Sequence, residues 1–418
     1  MKENTPAQVK NPLWTRDFTI ITAGSVVSML GNTLSGFAMN LMVLDATGST
    51  LMYAIYNILY LIPNALAPIL IGPFLDRFSR KKTIYTLDFA TAGLFAVMSL
   101  LLYTGHFSFV LLAAANCLLG AIGGVYLVAY DSFYPLLVSE GNYQKAYSVS
   151  ATLETLTVVM VPLSTLIYRT FGIVPLFIVN TATYLTAAIM ETRIRAEETY
   201  IAARQEDGAR GIRRFTADLT EGLRYLAGEK GLLAIAVYFL FSSLCGGMTN
   251  TVTLPYFRKA FADGEYLYTL TWGMSSLARF LIGIVHYNVR LPVRMKYGIA
   301  LGVYIGLAVL EGGYLFCSVP AMMVMMFITG LLGMTSYNIR ISATQKYVPD
   351  EKKGRFNGAF GTLSTVGAIA GEAIAGALSL AVSERAVVVI ANALCLTAAL
   401  VCIGGRKKDV AKIYNVET

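Results

Sequence analysis

The chain of 418 residues is 56% hydrophobic and has a mean hydropathy of +0.60. Only 14% of its residues are charged, whereas soluble domains hold about a quarter, so an ordinary globular protein is excluded. The net charge is +8, but no basic patch is typical of a nucleic-acid-binding protein.

Apolar stretches of about 20 residues recur along the chain, and each can cross a hydrocarbon core of about 30 Å as a helix. They predict an all-α membrane protein, because a membrane β-barrel would show short segments of alternating polarity. The twelve predicted spans, numbered 1 to 12 in chain order, are 18–44, 51–73, 83–104, 107–134, 147–170, 172–192, 231–257, 266–289, 297–318, 320–344, 356–381 and 386–404. Span 1 is too long for the core of a signal peptide and lacks a small-residue cleavage site, so we expect it to be retained.

The lysines and arginines predict how the chain is oriented in the membrane. If both termini are cytoplasmic, 27 of the 33 bases lie on the inner side, and two more, Arg279 and Arg340, lie within spans. Only four lie on the outer side: Arg169, Arg258, Lys259 and Arg385. This distribution predicts a multi-pass protein of the cell membrane with cytoplasmic termini, whose inner bases contact anionic lipid headgroups.

A long polar segment divides the spans into two sets of six. Within it, Phe215, Leu219, Leu223 and Leu226 recur near helical spacing, which predicts an amphipathic helix on the inner membrane surface. The predicted organisation is a first six-helix bundle, a cytoplasmic linker containing this helix, a second six-helix bundle and a cytoplasmic tail, over residues 1–192, 193–230, 231–404 and 405–418.

The charged loop "GPFLDRFSRKK" connects spans 2 and 3. It matches the G-x-x-x-D-R-x-G-R-R/K motif of the major facilitator superfamily at Gly72, Asp76, Arg77, Arg80 and Lys81, with Ser79 in place of the second glycine. The chain resembles that superfamily over nearly its whole length. It is similar to the branch of macrolide efflux proteins and enterobactin exporters in "WTRDFTIITAGSVVSMLGN", "DATGS", "DRFSRKK" and "QKYVPDEKKGRFNG". The resemblance implies the major facilitator fold, in which two six-helix bundles enclose a substrate cavity.

The resemblance also implies a role for the charged loop in gating. In the family, this loop holds the cytoplasmic side closed. Asp76 is therefore expected to meet the start of span 11 near residues 355–357, and Arg77 or Arg80 to reach Asp131 at the inner end of span 4. Both contacts are physically favourable, because helix N-termini attract carboxylates and arginine forms paired hydrogen bonds with them. The alternative is that the loop's bases only set the topology.

Helices that line the cavity in the family carry polar and aromatic residues here. Span 2 places Tyr53, Asn57, Tyr60 and Asn64 on one helical face. The candidates on spans 4, 7 and 8 are Asn116, Tyr126, Asn250 and Trp272. Such a lining favours an amphipathic compound over a sugar, although the same residues could anchor at interfaces or fill gaps between helices. Asn116 stands where many drug/proton antiporters of the family have arginine, so the resemblance supports transport more firmly than proton antiport.

Charged residues within spans are candidates for energy coupling. Glu372 in span 11 lies roughly 14 Å from the outer end among small neighbours and is expected to carry a proton, with Glu311 in span 9 as the alternative. Arg279 in span 8 and Glu154 in span 5 are expected to form a charge pair between the bundles. Alternatively, Arg279 binds an anionic group of the substrate.

Patterns of other functional classes are missing from the sequence. It contains no Gly-Lys dipeptide and therefore no P-loop, and it contains neither G-x-S-x-G nor H-E-x-x-H, so neither an ATP-driven pump nor an enzyme is predicted. The five cysteines and two histidines lack ligand spacing, and no metal or cofactor is predicted.

These observations lead to a functional hypothesis. We predict a monomeric secondary transporter that exports a small amphipathic compound, such as a macrolide-like drug, a siderophore or a metabolite, by alternating access. An ion gradient drives it, with protons as the expected ion. One alternative is an ion-coupled uptake permease for a nutrient or metabolite, and another is a non-transporting sensor on the same scaffold.

Overall fold

The computed structural model describes residues 12–75, 78–106, 108–139, 142–196, 198, 211–288 and 292–416. In these ranges the chain forms α-helices joined by short turns. They are α1 (Arg16–Thr47), α2 (Thr50–Leu75), α3 (Arg80–Tyr103), α4 (Phe109–Leu137), α5 (Tyr143–Phe171), α6 (Ile173–Glu191), α7 (Gly211–Gly228), α8 (Lys230–Ala260), α9 (Gly264–Asn288), α10 (Lys296–Gly313), α11 (Val319–Tyr347), α12 (Asp350–Leu378), α13 (Glu384–Ala398) and α14 (Lys407–Tyr414).

The predicted all-α membrane architecture is confirmed. Ten helices of the described chain are long and apolar enough to cross a membrane, namely α1 to α4, α6, α8 and α10 to α13. Helices α5 and α9 cover spans 5 and 8 but are not among these ten, so the count of twelve spans stays a prediction. Helix ends follow the predicted spans closely, because a change from apolar to polar residues marks most of them.

The described helices form two compact units. The first unit consists of the described residues of Met1–Met39 and Pro63–Gly211. In it, α3 packs along α6 and against α4, and a buried cluster that includes Phe18, Ile84 and Phe133 forms part of the core. Side-chain hydrogen bonds also join its helices: Asn180 Nδ2 donates to Ser35 Oγ at 2.6 Å.

The second unit consists of Asn40–Ile62 and the described residues of Ile212–Thr418. Helix α8 packs along α12 and α13, and a continuous core surrounds it. The second unit therefore includes residues 40–62, which belong to the predicted first six-helix bundle of residues 1–192. The predicted domain limits themselves stay predictions.

Glycine allows α8 and α12 to approach each other closely. A Cβ on Gly371 of α12 would lie 2.8 Å from the carbonyl carbon of Leu244 in α8, and a Cβ on Gly367 would lie 2.5 Å from the oxygen of Leu240. Real Cβ contacts are not this short, so both positions require glycine. Spacing by four residues places both glycines on the same helical face.

Replacing Gly371 with alanine should therefore destabilise the protein by about 1–3 kcal/mol or more, because α12 must move away from α8. Gly361 lies on the same helix with no atom within 4 Å of a Cβ, so Gly361→Ala is the matched control. It should be neutral or stabilise the helix by up to about 1 kcal/mol. Thermal unfolding of the purified variants measures both, and equal melting temperatures would contradict close packing at Gly371.

A helix lies where the linker was predicted to contain one. Leu226 of α7 is buried and Leu219 packs against the core of the second unit, while the Phe215 side chain lies outside the described residues. Arg355 at the start of α12 pairs with Asp218 at 3.1 Å and with Glu221 at 2.6 Å. The apolar face of α7 thus packs partly on protein.

The C-terminal tail contains a helix that the predicted spans did not include. Val410, Ile413 and Tyr414 of α14 are buried, and the Tyr414 and Tyr304 hydroxyls form a hydrogen bond of 2.8 Å. Burial raises the pKa of Tyr414 well above its ordinary value. The apolar spacing of these three residues was a usable signal, but the segment is short and follows a run of bases.

Candidate functional site

Glu372 of α12 is a buried acid in the second unit. It is 5% exposed, and its Oε2 has no hydrogen-bond partner among the described residues. Helix α12 ends three residues before the predicted span does, so Glu372 lies about 9 Å from the helix end and not 14 Å. One turn further on, a Cβ on Gly376 would lie 2.7 Å from Ala54, which shows that α2 and α12 meet here.

Tyr53 connects this acid with other predicted cavity residues. It is buried on α2 and lies within electrostatic range of Glu372, with Asn57 one helical turn further along the same helix. It also lies within electrostatic range of Tyr268 on α9, whose ring is 6.0 Å from that of Trp272. The indole nitrogen of Trp272 is buried and has no partner among the described residues. The structure thus places an acid, an amide and several aromatic rings in one part of the second unit.

The remaining cavity candidates have other surroundings. Asn250 on α8 is exposed, and Tyr60 lies near Tyr56 on its own helix. In the first unit, Asn64 donates from Nδ2 to the Gly120 oxygen at 3.2 Å, which supports the gap-filling alternative for this residue. The buried Asn116 lies on the same helix as Gly120.

Tyr126 belongs to a row of three tyrosines on α4. Its ring stacks on Tyr130 with centroids 5.9 Å apart, and Tyr130 stacks on Tyr134 at 5.3 Å. The hydroxyls of Tyr126 and Tyr130 lie near Ser25 on α1. Stacking restricts the orientation of these rings and therefore the positions of their hydroxyl groups in the first unit.

The gating prediction is only partly within the described chain. Asp76 and Arg77 lie outside the described residues. Arg80 donates from Nη1 to the backbone oxygen of Ser132 at 2.9 Å, next in sequence to the exposed Asp131. The predicted approach of Arg80 to the end of α4 therefore has geometric support, and the role of the loop as a gate stays a prediction.

A residue missed from the sequence organises the start of α3. Glu198 accepts hydrogen bonds from the Arg80 and Lys81 backbone amides at 2.7 and 3.3 Å and from the Ser79 hydroxyl. A carboxylate in this position satisfies free amides of the first helical turn. No sequence signal identified Glu198, because it is 119 residues from Ser79.

The predicted pair between Arg279 and Glu154 stays a prediction, since the Glu154 side chain lies outside the described residues. Arg279 is exposed on α9 and faces Gly333 of α11, where its guanidinium would lie 3.8 Å from a Cβ. It also lies within electrostatic range of Glu311 on α10. Within the second unit, Glu311 is thus a candidate charge partner of Arg279.

A partly buried ion cluster joins α1, α8 and α9 within the second unit. Arg258 at the end of α8 donates from Nε to Glu265 at 2.9 Å, pairs with Asp45, and donates to the Leu41 oxygen at 3.3 Å. Glu265 is 2% exposed. We call Arg258, Asp45 and Glu265 the Arg258 cluster. From the sequence, Arg258 counted only toward topology, although Asp45 belongs to the "DATGS" segment.

The fold and these residues can be compared with known proteins. A family model described as Major Facilitator Superfamily matches residues 21–372. The chain is 25% identical over 303 residues to the MFS-type transporter YkuC of Bacillus subtilis (strain 168), covering 66% of this chain and 68% of YkuC. It is 23% identical over 224 residues to Macrolide efflux protein A of Streptococcus pyogenes, covering 53% of this chain and about half (54%) of that protein.

Solved structures with the same fold are more distant in sequence. A bacterial homologue of the iron transporter ferroportin, in an inward-facing state, superposes with a TM-score of 0.67 at 14% identity, covering 96% of this chain and 99% of that one. The nucleoside transporter NupG superposes with a TM-score of 0.66 at 13% identity, covering 93% and 98%. At these identities the similarity concerns the fold alone.

Proposed function

Since the chain belongs to the Major Facilitator Superfamily, we propose that it exports a small amphipathic compound by alternating access, driven by a proton gradient. It is a multi-pass membrane transporter and not an enzyme, as predicted, and its substrate is a small molecule. The direction of transport, the chemical class of the substrate and the coupling ion belong to the proposal.

The arrangement around Glu372 carries this proposal. A carboxyl group is expensive to keep inside a membrane and is retained there chiefly for function. Glu372 is buried beside Tyr53, which adjoins Asn57 and Tyr268. Aromatic rings offer an amphipathic molecule apolar contact, and the few polar groups orient it. Protonation of the acid would change the charge of the same region in which the substrate binds.

Export is favoured over uptake by similarity. One relative is a Macrolide efflux protein, which matches over about half of each chain. We further propose a location in the cell membrane with both termini cytoplasmic, because 27 of the 33 lysines and arginines lie on that side in the predicted topology.

Alternating access requires gates at both ends of the cavity, and we propose one at each. The Arg258 cluster, which ties the end of α1 to α8 and α9, would close the outer end. The loop at 72–82, with Asp76, Arg77, Arg80 and Asp131, would close the inner end. Opening either end would separate the charges of its gate.

Accumulation of a radiolabelled macrolide in cells with and without the protein tests this proposal. We expect lower accumulation in cells that contain the protein, and we expect a protonophore to abolish the difference. Higher accumulation would support the uptake alternative, and equal accumulation for a panel of amphipathic compounds would contradict export. Glu372→Gln, at a matched level of expression, is the control, because it keeps the size of the side chain but cannot release a proton.

A further inference from the structure

Two acids are buried together in the first unit. Asp88 on α3 is 1% exposed, and Glu191 at the end of α6 is 0% exposed. Their carboxyl groups lie within electrostatic range of each other, where α3 packs along α6. Neither oxygen of Glu191 nor Oδ2 of Asp88 has a hydrogen-bond partner among the described residues.

Among the described residues, uncharged groups surround the pair. From α1, Gly24 approaches so closely that a Cβ there would lie 3.3 Å from Glu191 Oε1. From α4, the phenols of Tyr126 and Tyr130 lie within electrostatic range of Glu191. In the described part of the chain, no lysine, arginine or histidine forms an ion pair with either acid.

Two ionised carboxylates cannot be stable in this position. An ionised carboxylate only accepts hydrogen bonds, so two facing carboxylates repel each other unless one carries a proton and donates it to the other. Burying a carboxylate without a counter-charge is costly, and such a group becomes neutral instead. A metal ion would need more ligands, and the described residues hold no group of three or more His, Cys, Asp or Glu side chains that could bind one.

We propose that Asp88 and Glu191 form a proton-binding site that holds a shared proton between α3 and α6. The proton is taken from water as one carboxylate becomes a carboxylic acid, and it is returned to water on release. The site is distinct from Glu372 and does not depend on the direction of transport. It ties α3 to α6 when the proton is bound and pushes them apart when it is lost.

The pH dependence of thermal unfolding tests this site directly. The folded protein holds a proton that the unfolded chain releases at neutral pH, so stability should fall as the pH rises, by up to about tenfold in the folded-to-unfolded ratio per pH unit for one proton. The double variant Asp88→Asn/Glu191→Gln keeps the size of both side chains without the charge. It should lose this part of the pH dependence, whereas Glu372→Gln should retain it. The same slope in wild type and double variant would overturn the proposal.

A second measurement covers the case in which the double variant does not fold. Infrared difference spectra of the wild-type protein between acidic and alkaline pH should contain the carbonyl band of a protonated carboxyl group, and that band should change in each single variant, Asp88→Asn and Glu191→Gln. A band that neither variant alters would contradict the assignment. Stabilisation of the wild type by sodium chloride over choline chloride at alkaline pH would also overturn it, in favour of a cation site.

Discussion

Transport by Glu372→Gln is expected to become independent of the proton gradient, while the variant still folds and inserts. Glutamine has the same shape and can form the same hydrogen bonds as the protonated acid, but it cannot release a proton. Glu372 is buried, and its Oε2 has no hydrogen-bond partner in the described chain. Efflux from proteoliposomes with and without an imposed pH gradient would measure this, and full gradient dependence in the variant would show that Glu372 is not the coupling acid.

A matched control separates coupling from general damage. Glu311 is also an acid within a membrane helix, and it lies within electrostatic range of Arg279. A nearby positive charge favours the ionised form of an acid, so Glu311 should be the poorer proton carrier. Glu311→Gln should therefore reduce the rate of transport without removing its dependence on the gradient. If Glu311→Gln uncouples transport and Glu372→Gln does not, the assignment of the two acids is reversed.

The helices could be predicted because the membrane imposes a simple rule on the sequence. A helix that crosses about 30 Å of hydrocarbon must be apolar over about 20 residues, and that requirement can be read locally. The same rule does not apply to α14, which is buried against protein through only Val410, Ile413 and Tyr414. Its position depends on contacts with distant helices, such as the Tyr304 hydrogen bond, which no local pattern reveals.

The candidate site shows the same limit. The acid of α12 could be identified because it interrupts an apolar span, and Tyr53 because it lies on a polar helical face. Asp88 also interrupts a span, but its significance depends on Glu191, which lies at the end of α6 and looks like part of the polar boundary. Only the packing of α3 along α6 brings the two together. The sequence therefore predicts single acids within spans, whereas a contact between two acids about a hundred positions apart is found only in the structure.

Replacing Arg258 with methionine should lower the free energy of unfolding by about 3–5 kcal/mol, because it leaves the buried carboxylate of Glu265 without its guanidinium. The side chain of Arg258 is only 19% exposed, so water cannot fully replace the lost contacts. The double variant Arg258→Met/Glu265→Leu should recover part of the loss, since neither charge is then buried alone. Thermal or denaturant unfolding of the purified variants measures these differences.

The neighbouring Lys259 is the control for this experiment. It pairs with Glu384 on the same unit, but its side chain is 59% exposed. Exposed ion pairs contribute about 0–1 kcal/mol, so Lys259→Met should change the stability little. If both single variants lose the same stability, burial does not set the strength of the Arg258 cluster.

If the Arg258 cluster is an outer gate, breaking it should favour the outward-open form. Asn250 is exposed on α8, so a cysteine placed at position 250 can report this change. That cysteine should react faster with a membrane-impermeant thiol reagent in Arg258→Met than in Lys259→Met. Equal reaction rates would leave the cluster with a role in stability but not in gating.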